Sequence, residues 1–176
     1  MKKMIESIEE ALKLLNELNA PEKLTFHGKL VCEAAEDIIK ELSTLDISLD
    51  FVFIRIATIL HDIGKIIHIS ELSMPGHFHE EEGEKILIKL GIDPNLARCC
   101  LSHARYNNMN CSIEELIVAL ADKLWKGKRD ETLELKVVDA IAERLGKERW
   151  NIFMKLDDCF ESVAMKGNER LNRSLN

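Results

Sequence analysis

The sequence predicts an all-α domain, on three observations. Apolar residues recur at helical spacing along nearly the whole chain, only three prolines interrupt it, and no segment alternates with the period of two that a half-buried strand requires. A chain of 176 residues with 46% hydrophobic content can bury a core without crosslinks, so one domain is expected over 1–176 and an extended disordered state is disfavoured.

Ile5, Ile8, Leu12, Leu15 and Leu18 form one stripe, ended by Asn19-Ala20-Pro21. Leu30, Val31, Ala34, Ile38 and Leu42 form a second, and Ser43 to Asp50 is a loop. The segment FVFIRIATILHD is apolar on almost every side, and its length and helical neighbours favour a central helix over a buried strand, with Gly64 closing it. Ser70 to His77 reads as a loop around Met74-Pro75-Gly76, and Glu80 to Leu90 as a short helix stopped by Gly91. Asp93-Pro94 starts the next helix with proline in its first turn. Ser112 and Glu115 have capping-box spacing ahead of SIEELIVALADKLW. Further helices are expected over Thr132 to Leu145 and Glu148 to Met165, and the polar tail KGNERLNRSLN as frayed.

Charge and cysteine usage narrow the function. Lys and Arg number 24 against 31 Asp and Glu, a formal net of −7, with no long basic run. That balance argues against a nucleic acid polymer as partner, since its phosphates need neutralising. The cysteines, Cys32, Cys99, Cys100, Cys111 and Cys159, are odd in number and form no CxxC pair. They read as small core residues in a reducing compartment rather than a disulfide framework. MKKMIESIEE lacks the apolar stretch of a signal peptide, and the apolar run near Phe51 to Leu60 carries Arg55 and is too short to span a bilayer. A cytoplasmic location without membrane association is expected.

The chemistry gathers on histidine and aspartate. His61-Asp62, within LHDIGK, ends the most apolar segment, where bare charge is costly unless paired or metal-bound. A metal ion compensates an imidazole and a carboxylate together. His27 shares a helical face with Val31, Ala34 and Ile38; His79 lines up with Gly83, Ile86 and Leu90; His103 follows Leu96, Cys99 and Cys100. Each alone is as well explained as a satisfied core histidine. Together they aim separate helices at one core and suggest a nitrogen-and-carboxylate site suited to iron, manganese or zinc. Asp122 lies nearly opposite the stripe Ile113, Leu116, Ile117, Leu120 and Leu124, which fits a solvated aspartate equally well. Val118, Ala119 and Trp125 make its own face apolar too, so it would need a partner.

The ordered series His27, His61-Asp62 and late Asp122 in LADKLW resembles the HD-domain metal-dependent phosphohydrolase superfamily, over roughly residues 20 to 130. The resemblance implies a helical bundle with the metal between core helices and further helices over 132–167. It places His27, His61, Asp62 and Asp122 on one ion. His79 and His103 match the additional histidines of a dinuclear branch in which Asp62 bridges two ions. It implies iron or manganese first, with zinc, magnesium, nickel or cobalt as further candidates. Metal-activated hydroxide would attack a nucleotide or other small phosphoester or phosphoanhydride. Asp62, Lys65 and Arg105 would be the catalytic groups, Lys65 and Arg105 meeting the phosphate and Lys123 with less support; His77 falls in the loop beside His79. The chain has neither the Glu-Asp after HDxx of guanosine tetraphosphate hydrolases nor a Gly-Tyr-Pro motif, and its HDxxK is most like symmetrical dinucleoside polyphosphate hydrolases. Two alternatives stay open: an HD-type di-iron oxygenase, which uses the same ligands, and a non-catalytic, metal-stabilised interaction module. A homodimer also stays open.

Overall fold

The computed structural model describes residues 3–176, and among them every regular element is helical. In chain order these are α1 (Ile8–Glu17), α2 (Glu22–Leu42), α3 (Phe51–Leu60), α4 (Phe78–Lys89), α5 (Pro94–Arg105), α6 (Ile113–Leu124), α7 (Glu131–Leu145), α8 (Phe153–Met165) and α9 (Gly167–Ser174). Tight 3-10 turns cover Ile63–Ile66, Ile69–Leu72 and Arg149–Asn151. None of the described helices is long and apolar enough to cross a membrane.

Local chemistry starts the helices. Asp50 accepts the Phe53 N–H at 2.8 Å at the head of α3, and Asp93 accepts from Asn95 at the head of α5, where Pro94 needs no partner for a missing N–H. Ser112 and Glu115 form the reciprocal capping box expected of their spacing.

α6 is the centre of the bundle. Its Ile117, Val118, Ala119, Leu120, Ala121 and Leu124 are completely buried, because α2 and α3 pack on one side and α5 and α7 on others. α2 crosses α3 closely at Gly28, where a Cβ would meet the Ile59 carbonyl oxygen at 2.9 Å. That crossing sets His27 beside the end of α3. α4 packs on α5 and on the Ile63–Ile66 turn, so the metal-ligand candidates of both helices face the same interior.

Two expectations are corrected. α3 stops at Leu60, ahead of Gly64, and the chain tightens into a 3-10 turn in which Gly64 serves packing instead. A Cβ there would come within 1.9 Å of the His79 carbonyl oxygen, so only glycine lets this turn lie against α4. The C-terminal tail is not frayed: it forms α9 and docks on α2. The anchor is Arg170, fully buried, whose guanidinium donates to the Val163 carbonyl at 2.8 Å, Asp37 at 3.0 Å and Glu33 at 3.2 Å. A buried guanidinium persists only when its donors are so satisfied. Arg170→Ala is therefore expected to lower unfolding stability by about 2 kcal/mol in urea titration, as for hydrogen bonds to charged groups. A change within about 0.5 kcal/mol, usual for surface positions, would contradict the docked helix.

Candidate metal centre

Five segments deliver the site. His27 comes from the first turns of α2, His61 and Asp62 from the end of α3, His79 from the head of α4, His103 from the last turn of α5, and Asp122 from the end of α6. Ending α3 early matters here. Asp62 sits at φ −104°, ψ 13°, in the sparsely populated bridge region, and this bend turns its carboxylate inward among the histidines.

The two Asp62 oxygens face different partners. Oδ2 lies 3.3 Å from His27 Nε2 and 3.8 Å from His61 Nε2. Oδ1 lies 3.1 Å from His79 Nε2 and 3.4 Å from His103 Nε2. Asp122 Oδ1 completes the first group, 3.3 Å from His61 Nε2 and 3.4 Å from His27 Nε2. All six predicted ligands are thus brought together, with Asp62 common to two half-sites. His61, Asp62, His79 and His103 are buried; the His27 and Asp122 side chains keep about a fifth of their surface open.

Hydrogen bonding at the far side of the rings fixes which nitrogen is available. His61 Nδ1 lies 2.8 Å from the Thr58 carbonyl oxygen, His103 Nδ1 3.0 Å from that of Cys99, and His79 Nδ1 2.5 Å from the Glu71 carboxylate. Those oxygens only accept, so the proton sits on Nδ1 and a lone pair on Nε2 points inward. His27 and His61 bring their Nε2 atoms to 3.3 Å, and carboxylate oxygens surround both. His79 Nε2 is buried and has no hydrogen-bond partner, although Asp62 Oδ1 lies 3.1 Å away. Ring nitrogens and carboxylate oxygens that converge in this way could hold a metal ion, and imidazole with carboxylate suits a divalent first-row metal.

In the metal-free protein, protons take that role. Burial pulls the His27 pKa down, but hydrogen bonding and charge from Asp122 and Asp62 outweigh it and raise the value from 6.5 to about 9. For His103 burial likewise opposes, and Asp62 prevails to raise it. Burial pushes the Asp62 carboxyl up, yet His61, His103, His27 and His79 hold it well below the usual carboxylate range. Asp122 is lowered in the same way, burial being overcome by His27 and His61.

Lys65 Nζ is 2.6 Å from Asp62 Oδ2, which places its ammonium at the cluster. Arg105 is otherwise engaged. Its Nε donates to the buried Glu80 at 2.6 Å and its terminal nitrogens to Glu81 at 3.3 Å, tying α5 to α4. His77 is exposed and stacks on Phe78, with ring centroids 4.7 Å apart. Lys123 is partly buried next to Asp122.

Sequence reading had no place for Glu71, the carboxylate behind His79, nor for the carbonyls of Thr58 and Cys99. The carbonyls lie three and four residues before their histidines, a relation helical spacing carries; Glu71 lies in the irregular connector, where spacing carries no such signal. Trp125 sets its ring edge-on to His27 at 5.1 Å between centroids, flanking the open side.

A buried imidazole–carboxylate cluster between core helices defines an all-α protein built to hold divalent metal. Residues 25–127, more than half of the chain, match the HD domain family, and the chain belongs to that family. HD domains bind divalent metals and are generally hydrolases of the metal-dependent phosphohydrolase superfamily. No curated protein and no solved structure matches the chain.

The pKa shifts set a pH dependence. Because the His27 value is raised, its proton stabilises the metal-free fold fully below about 6.5, and that stabilisation is lost as pH rises through about 9. Metal must displace this proton. Divalent-metal binding is therefore expected to release protons at pH 7 to 8 and to tighten as pH rises towards 9, read by calorimetry in buffers of different ionisation enthalpy. Affinity independent of pH over that window would contradict the assignment.

Proposed function

We propose that this chain hydrolyses a small phosphoester or phosphoanhydride, with a nucleotide as the favoured substrate. The supporting observation is a carboxylate, Asp62, shared between two histidine groups while the Lys65 ammonium stands beside it. Residues His27, His61, Asp62 and Asp122 would hold one divalent ion, and Asp62, His79 and His103 a second, iron or manganese being the best match to these donors. Bound metal supplies water acidified towards neutral pH and neutralises phosphoryl charge.

The protein's own groups do the remaining work. Lys65 offers a cation at the rim of an otherwise buried cluster, where screening by water is weak and a phosphoryl oxygen would be strongly held. Burial of His61, His79 and His103 keeps bulk water off one side, so substrate enters from the side of His27 and Asp122. Arg105 has the weaker part: its Nε is committed to buried Glu80, and a phosphate would reach its outer nitrogens only by displacing the more exposed Glu81. The net charge of −7 makes a small substrate a better fit than a nucleic acid polymer.

Protein supplied with Mn²⁺ or Fe²⁺ is expected to release phosphate or a nucleotide from a panel of mono-, di- and polyphosphates. Lys65→Met should reduce kcat about 100-fold, as for removal of one preorganised charge donor. Arg105→Met should cost less. Silence across the panel with metal-loaded wild type, or oxygen consumption in its place, would overturn the proposal.

A further inference from the structure

Glu71 makes three contacts at once. Its Oε2 meets His79 Nδ1 at 2.5 Å and accepts the His79 backbone N–H at 3.1 Å, while Oε1 accepts the Phe78 N–H at 3.1 Å. Its side chain is only 7% exposed. The residue at the N-cap of α4, His77, makes no side-chain cap bond, so the first free N–H groups of this helix depend on Glu71 instead. A carboxylate at that end also suits the helix dipole. One side chain therefore fixes both where α4 begins and which way the His79 ring faces. Neither His61 nor His103 has such a carboxylate behind it; each leans on a neutral carbonyl.

We propose that Glu71 is a positioning residue that selectively sets the affinity of the second metal half-site, His79, His103 and Asp62 Oδ1. This rests on the two-ion reading above. By holding the proton on Nδ1, Glu71 keeps Nε2 as a lone pair aimed inward, and its charge makes the imidazole a stronger donor. Glu71 makes its hydrogen bonds to Phe78 and His79 and none to His27, His61 or Asp122, so the first half-site meets it only through the shared Asp62. The connector between His61-Asp62 and His79 thus decides whether the centre takes one ion or two.

Gly76 gives a second way to disturb the same contact: a Cβ there would lie 2.4 Å from the Glu71 carboxyl carbon and push that side chain aside. Metal-free full-length protein would be titrated with Mn²⁺, following ion pairing by electron paramagnetic resonance and folding by melting temperature. Wild type should show the exchange-coupled signal of two neighbouring ions. Glu71→Gln, Glu71→Ala and Gly76→Ala should each weaken uptake of the second ion about 10- to 100-fold, with the alanine at position 71 the most severe, while the first ion binds as in wild type. Glu71→Gln keeps one of the two oxygen acceptors, so its melting temperature should fall less than that of Glu71→Ala. Two ions taken up equally by wild type and all variants would overturn the role of Glu71 alone. Parallel loss of both ions would do so as well, by showing a general structural effect. Uptake of one ion by wild type would overturn the two-ion reading, and this inference with it.

Discussion

The structure depends on one carboxylate. Asp62 is buried with four imidazoles around it, and a charge so placed survives only if it is compensated. Its neighbours are themselves mostly acceptors, since His61, His79 and His103 each spend their ring N–H on an oxygen behind them. What remains in the middle is negative charge facing ring nitrogens, balanced by the Lys65 ammonium and by protons on His27 and His103 unless metal ions replace those protons. The helices can be understood as the means of holding that unfavourable arrangement together.

Two packed units meet at Asp62. α2, α3 and α6 carry His27, His61 and Asp122, and their close contact rests on small residues and on the complete burial of α6. α4 and α5 carry His79 and His103 and are tied by the Arg105 pairs with Glu80 and Glu81. The turn after α3 joins the units, with Gly64 against the α4 backbone. The cluster in such a design tolerates few changes in the turn, because a shift there moves Asp62 relative to both histidine pairs. The C-terminal helices act at a distance: α9 braces α2 through Arg170, on the helix that carries His27.

Helical period alone turned His27, His79 and His103 inward, because each shares a face with apolar residues that must be buried. Asp122 was ambiguous for a physical reason: α6 is apolar almost all round, so no face marks the exterior, and only the positions of α2 and α3 decide where the aspartate points. The end of α3 was misplaced because Gly64 looks like a helix stop, whereas its role is a close approach to a segment 15 residues further on, which local pattern does not encode. The tail was underestimated on polarity. Arg170 is as buried as any leucine, but its partners Glu33 and Asp37 lie 137 and 133 residues away. Glu71 escaped notice for the same kind of reason, a carboxylate in an irregular connector whose meaning appears only beside His79.

Anomalous diffraction from crystals grown with Mn²⁺ would locate the ions at this carboxylate. A strong peak is expected beside Asp62 Oδ2, shared with His27, His61 and Asp122, and another beside Oδ1, shared with His79 and His103. A cluster with no anomalous density, its side chains otherwise in place, would contradict that expectation.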